Sequence, residues 1–459
     1  MSETIAHARP QGFGGVVLQD GDPAYDEARI VFNGMIDKRP ALIAQCESAA
    51  DVQAALRYGV DRELEIAVRG GGHGVAGTGV TEGGLVVDLR RMNSVQIDPD
   101  ARIARVGGGA TWGDVDRACQ PYQLATTGGR VSTTGVAGLT LGGGSGWLER
   151  KFGLACDALL SVELVTADGR LLIADETRNT ELFWALHGGG GNFGIATSLT
   201  FRLQQLPATT LALLLWPASA GPDVLRAYRD LIESGAPEEL GGGVIYLTGP
   251  PEEFVPAHLH GQLLVGAAAV YAGGEAELRE VFAPLFALRP EGELVAELPY
   301  ADIQSALDDP PGFRNYWSAE HLAAFPDPAL EAFVNRSADM ISPSPSQQAI
   351  LPWGGAVERA ADTWPQPHRR AAWVVHPFGL WSDPADDARG IRWARDVCSD
   401  LQEWATGYVY LNFIGNEGQN RVIAGFGQEN YERLARVKCQ YDPENVFHLN
   451  QNIEPGWPC

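Results

Sequence analysis

Fifty-five of the 459 residues are glycine, and the densest of them fall in three clusters within the first 200 positions. These are Arg69 to Gly79 (RGGGHGVAGTG), Gly128 to Gly146 (GGRVSTTGVAGLTLGGGSG) and Leu182 to Ile195 (LFWALHGGGGNFGI). A glycine weakens whatever helix or strand contains it, so three clusters in one region are hard to explain by turns alone. They suit loops in which the backbone closely approaches a bound group.

The first cluster follows a strand-like run, Glu65 to Arg69 (EIAVR), and places three glycines before His73. Glycines there let successive backbone N–H groups point at a pyrophosphate without obstruction by Cβ. No Gly-Lys-Ser/Thr follows, so the cluster is not a P-loop. Nor do the glycines open a helix, as the dinucleotide fingerprint requires. The second cluster mixes small residues with hydroxyls, which suits a long loop around a flat, polar group. In the third, an apolar helical turn ends in four glycines, then Asn192, Phe193 and Gly194.

Residues 42 to 200 read as alternating short strands and helices. Ser48 is placed as a helix N-cap with Asp51 at the third helical position, ahead of Val52, Ala55, Leu56, Gly59 and Val60 at helical spacing. Leu85 to Leu89 and Ile103 to Val106 read as strands. Ser161 to Ala174 reads as a hairpin turning at Asp168-Gly169, and Ile195 to Leu203 as a half-exposed strand. Beyond about residue 205 the glycine clusters stop, proline becomes frequent and tryptophans appear (Trp216, Trp317, Trp353, Trp373, Trp381). This predicts a second domain of sheet and covering helices. The tail returns to a helix, Asn430 to Lys438, halted by Asp442-Pro443. The polar stretch that follows, with Asn450 and Asn452, is expected to pack back on the first domain. The expectation is an α+β protein of two lobes: 1–204 with 420–459, and 205–419.

Formal net charge is −24, which repels phosphate backbones and anionic lipid, so neither nucleic acid nor membrane is an expected partner. No basic stretch precedes an apolar core at the start, and no run approaches the roughly 20 apolar residues that span a bilayer. Cys46, Cys119, Cys156, Cys398, Cys439 and Cys459 are scattered without CxxC spacing. That argues against a zinc site or a disulfide framework and suits a reducing cytoplasm, so no metal and a cytoplasmic location are expected.

The three clusters, together with YVYLNF (Tyr408 to Phe413) and NYERLARVKCQYDPENVFHLNQNIEP near the end, resemble the berberine bridge enzyme-like FAD-linked oxidases of the vanillyl-alcohol oxidase superfamily. The resemblance implies a two-lobed FAD-linked oxidase fold, a PCMH-type FAD-binding domain with an antiparallel-sheet substrate domain backed by helices. It implies FAD held covalently by His73, with Arg69, Gly70, Gly71, Gly72 and Gly74 around the attachment. Many relatives add a cysteinyl bond at the position that is Val131 here, so the attachment is expected through His73 only. By the same comparison Gly128, Gly129, Thr133, Thr134, Gly135, Gly138, Gly142 and Gly143 would line FAD. So would Asp157, Asn192, Gly194, Ile195, Asn450 and Asn452. Thr134 falls where relatives that react well with oxygen often carry valine.

The family's Tyr-x-Asn segment maps to Tyr410 and Asn412. Read as a strand, it puts both on one face, with Tyr410 as the candidate catalytic base and ring packing as its alternative role. Tyr316, Trp353 and His376 are further pocket candidates. The implied reaction is hydride transfer from a small alcohol, sugar or amine to flavin N5, with molecular oxygen reduced to hydrogen peroxide. The alternatives are a dehydrogenase with another acceptor and a non-catalytic flavin carrier.

Overall fold

The computed structural model describes residues 9–306 and 308–456. It is a mixed helix-and-sheet protein of two lobes. In the first lobe a small sheet runs Val16–Leu18, Leu42–Gln45, Leu85–Asp88, Ile66–Arg69 in spatial order. Its last three strands are parallel, so helix Ala49–Val60 crosses over between Leu42–Gln45 and Ile66–Arg69. Ser48 caps that helix by accepting from the Asp51 N–H, as the sequence predicts. Ile66–Arg69 thereby ends where the first glycine cluster begins.

Beside it lies a five-stranded antiparallel sheet of Val95–Asp98, Ile103–Gly107, Ile195–Arg202, Leu159–Val165 and Leu171–Asp175. The hairpin is present, with Gly169 at φ +81° in its turn. The third glycine cluster opens directly into Ile195–Arg202, the central strand.

The second lobe is an eight-stranded antiparallel sheet. Its main path runs Gly292–Glu297, Thr210–Pro217, Leu263–Tyr271, Leu240–Thr248, Gln347–Pro352, Trp373–Trp381, Arg314–Trp317. Helices Gly221–Glu233, Asp327–Ser337 and Asp387–Asp400 cover one face, where Val224, Tyr228, Val244, Tyr246, Phe333, Val375 and Trp393 share a core. Side chains alternate across a strand, so Gly243, Ile245 and Leu247 turn to the opposite face, against the first lobe. Gln204–Gln205 still pairs with Leu124–Ala125 of the first lobe, and the large sheet starts at Thr210.

The chain returns through helix Gln428–Tyr441, five residues longer than the expected Asn430 to Lys438. Lys438, fully buried, donates to the Asn192 and Phe447 carbonyls and to Asp442 Oδ2, which fastens the third glycine cluster to the tail. Cys46, Cys119, Cys156 and Cys398 are free and buried. Cys439 is disulfide-bonded. Among the described residues no helix is long and apolar enough to cross a membrane, and no cluster of three or more metal-ligating side chains occurs.

Candidate active site

The three glycine clusters, the free face of the large sheet and the tail enclose one cavity of about 570 Å³, within the range of sites for small molecules and cofactors. Gly70, Gly71, Gly72, His73 and Gly74 form part of its wall. A Cβ on Gly71 would sit 2.2 Å from the Gly135 nitrogen, so the first two clusters touch backbone to backbone and only glycine fits. Arg69, expected in the wall, is turned away: its guanidinium donates to the Ala28 and Ile30 carbonyls and holds the strand end.

His73 projects from this junction into the cavity. Its Nε2 lies 2.8 Å from Thr133 Oγ1, its Nδ1 3.5 Å from Thr134 Oγ1, and its ring stacks on Phe32 at 4.1 Å. Burial pushes its pKa down to about 4, so the imidazole is neutral at physiological pH. A neutral imidazole carries one unprotonated ring nitrogen, which is a nucleophile.

From the second cluster Gly129, Val131, Thr134, Gly135, Gly138 and Gly142 line the cavity. Gly128 instead backs onto Trp112, and Gly143 onto Gln366 and Tyr410. From the third, Asn192 and Gly194 line it. The Asn192 side chain is spent on fastening the tail, donating to the Gly189 and Gln451 carbonyls and accepting from the Ile453 N–H. Ile195 begins the strand and is buried in the small sheet's core. In the tail Asn450 lines the cavity and Asn452 does not. Asn450 Oδ1 is buried without a partner, an acceptor that a hydroxyl-bearing ligand would satisfy. Glycine backbones and an orphan acceptor in the same wall are groups that could hold an adenine dinucleotide.

Asp157, also expected in the wall, is captured from the other lobe. Arg369, fully buried on the turn Pro367–Arg370, grips its carboxylate at 2.8 and 2.9 Å. Cys156 lies against the same guanidinium at 3.2 Å. Asp157 therefore clamps the 142–157 loop to the second lobe.

Tyr410 departs furthest from expectation. Residues Leu411–Phe413 form a turn, so the alternation that would place Tyr408, Tyr410 and Asn412 on one face does not apply. Tyr408 is 36% exposed, whereas Tyr410 is fully buried and outside the cavity wall. The Tyr410 hydroxyl accepts from the Gly144 N–H at 2.7 Å, the Ser145 N–H at 3.0 Å and Asn412 Nδ2 at 2.8 Å. Burial pushes its acidity down, to a pKa of about 12. Asn412 does line the cavity, held by donation to Tyr410 and to the Leu139 carbonyl. Tyr410 thus positions both the 142–145 turn and Asn412. A Tyr410→Phe variant leaves two buried N–H groups unpaired, at about 1–3 kcal/mol for each. The expected outcome is a clearly lowered unfolding midpoint with bound flavin retained, checked by thermal denaturation and flavin absorbance.

Of the three pocket candidates only His376 reaches the cavity. Its Nδ1–H donates to the Ser318 carbonyl at 2.9 Å, and its ring stacks on Phe413 at 4.2 Å. Tyr316 lies one residue out of phase on Arg314–Trp317: its hydroxyl accepts from Arg395 at 2.9 Å on the helix side, while Trp317 faces the cavity. Trp353 packs behind Tyr410 at 6.0 Å. Sequence reading passed over Trp317, Phe378, Asp308 and Asp309, which do line the cavity. Alternation would have selected Trp317 over Tyr316 had the phase of that strand been known.

Residues 40–175 match the family described as FAD binding domain, and residues 409–454 that described as berberine and berberine like. The chain is 30% identical to the uncharacterized FAD-linked oxidoreductase YgaK of Bacillus subtilis (strain 168), over 96% of this chain and 97% of that one. It is 32% identical to (R)-6-hydroxynicotine oxidase of Paenarthrobacter nicotinovorans, over 98% of both. The crystal structure of 6-hydroxy-D-nicotine oxidase from Arthrobacter nicotinovorans superposes with a TM-score of 0.87 at 31% identity, covering 98% of this chain and 100% of that one. Fold, cavity and kinship agree: this enzyme belongs to the berberine bridge enzyme-like family of FAD-linked oxidoreductases.

Proposed function

We propose that this enzyme carries its FAD on a single covalent bond to His73 and oxidises a small organic substrate, with molecular oxygen as the final acceptor. The observation that carries this reading is the neutral His73 imidazole, projecting into the cavity where the first two glycine clusters touch. Val131, the other wall position at which relatives attach, offers no thiol, and Cys156 is buried against Arg369 outside the wall. A flavin bound there supplies a two-electron acceptor for a hydride leaving a substrate carbon.

The chain's own groups do the rest. The large sheet, with Ile245, Leu247, Ala349 and Leu351, presents an apolar wall that excludes water. Donation of Nδ1–H to Ser318 fixes the His376 tautomer and leaves the Nε2 lone pair to accept a substrate O–H or N–H. Thr133 and Thr134 orient His73. Two experiments test the reading. Acid-denatured protein run on a gel should keep yellow fluorescence in its band, and its intact mass should exceed the chain by one FAD; a colourless band rejects the tether.

A second reading, a dehydrogenase using another acceptor, is favoured by one observation: the Thr134 hydroxyl, where oxygen-reactive relatives often have valine, is in the cavity wall. Stopped-flow mixing of reduced enzyme with aerated buffer decides between them. Oxidation within seconds supports the oxidase, and reduced flavin persisting for minutes supports the dehydrogenase.

A further inference from the structure

The geometry points to Asp309 as the residue that selects the substrate, by pairing with a cationic nitrogen carried on a flat, apolar molecule. This rests on reading the cavity as the flavin and substrate site. Among the described residues, Asp308, Asp309 and Arg130 are the wall's acidic and basic side chains. Arg130 is already matched: it pairs with buried Glu149 at 2.8 Å and donates to Ser145 Oγ at 2.9 Å. Asp308 is spent as well, because its two oxygens accept from the Ser132 N–H and hydroxyl, both at 2.5 Å. Asp309 is left with one neutral partner, Gln347 Nε2 at 3.3 Å, and with no cation. A carboxylate in such a place is an incomplete ion pair. Burial and the neighbouring Asp308 accordingly raise its pKa to about 7.

The surroundings ask for the same partner. His376, 93% buried by its 7% exposure, lines the cavity with Nε2 as an acceptor, because Nδ1 carries the proton given to Ser318. Asn412 gives its amide hydrogens to Tyr410 and Leu139, so its free oxygen is again an acceptor. Three acceptors of this kind match N–H donors and a positive charge better than they match a polyol, which needs donors and acceptors mixed. Aromatic faces share the same wall: Trp317 stacks on Phe378 at 4.3 Å and Phe413 stacks on His376. Aromatic faces accept flat rings and attract cations. The segment also sits close to the tether, since Ser132, which holds Asp308, precedes the Thr133 that holds His73.

The test is equilibrium binding of two probes of nearly equal shape, benzylamine and benzyl alcohol, to the oxidised holoenzyme at about pH 8, where an alkylammonium such as that of lysine, titrating near 10, is still charged. Binding is read by quenching of tryptophan fluorescence and by calorimetry, neither of which needs turnover. The amine should bind about tenfold or more tighter than the alcohol, as a charge-assisted hydrogen bond in a dry site provides. Asp309→Asn should bring the two within about twofold by weakening the amine alone, and Asp309→Glu should keep the amine preference. Equal binding of the two probes by wild type, or a preference that survives Asp309→Asn, overturns the assignment. The wild-type comparison decides even where the variant fails to fold. A wild type that holds flavin through denaturation yet binds both probes alike rejects this subsite and leaves the flavin reading standing; a band that loses its colour rejects the tether independently of either probe.

Discussion

His73→Ala is expected to abolish covalent flavin completely while the protein still folds. The side chain contributes a hydrogen bond to Thr133, a longer one to Thr134 and a stack on Phe32, so its loss costs about 1–2 kcal/mol, small for a chain of this size. The loop's shape is set by its backbone and neighbours: Phe32 N–H donates to the Gly72 carbonyl at 3.1 Å, and Gly71 abuts Gly135. The glycine cradle therefore survives, and the variant should take up FAD reversibly. The readouts are in-gel fluorescence, intact mass and loss of colour on dialysis in denaturant. A variant that retains flavin after acid denaturation would place the bond elsewhere and sink the assignment. A pH consequence follows. With its pKa near 4, His73 is already deprotonated throughout the neutral range, so attachment of FAD to apoprotein should proceed at the same rate from about pH 6 to about pH 8. An imidazole with the unperturbed pKa of about 6.5 would instead slow several-fold at the lower end of that range.

The second large effect belongs to the clamp between lobes. Arg369→Met should cost about 3 kcal/mol, because it takes the guanidinium from both the Asp157 carboxylate and Gln366 Oε1 and leaves the largely buried carboxylate with only neutral donors such as the Leu154 N–H. Methionine fills much of the same volume, so the loss comes from the unpaired charge and not from a void. The thermal midpoint should fall by many degrees. The double variant Asp157→Asn with Arg369→Met should recover part of that loss, since the uncompensated charge is gone. Full additivity of the two single changes would show that the pair is not coupled and that the clamp is incidental.

Much of the site was readable before any coordinates. Each glycine cluster lies at a strand end, where the backbone crosses from sheet to cavity, and a residue without a Cβ is demanded locally by closeness of the kind seen between Gly71 and Gly135. His73, Thr134, Gly138 and Asn450 follow from those clusters and from family resemblance, and all line the cavity. Asp157, Tyr410 and Tyr316 illustrate what was not readable. Asp157 sits in the right segment but is taken by Arg369, 212 positions away. Tyr410 lies in a segment that looks like a strand by composition and is a turn. Tyr316 was chosen for its polar tip, but that tip turns to Arg395 on the helix side while its neighbour Trp317 faces the cavity.

Local sequence by itself determined where the backbone must be bare and which imidazole stands beside it, because steric demand and nucleophilicity belong to single residues and their immediate neighbours. Only the tertiary structure decided which polar side chains face the cavity and which are consumed holding the lobes together. A strand's inward phase and a carboxylate's partner are set by whatever packs opposite, and that is brought there by parts of the chain hundreds of residues apart.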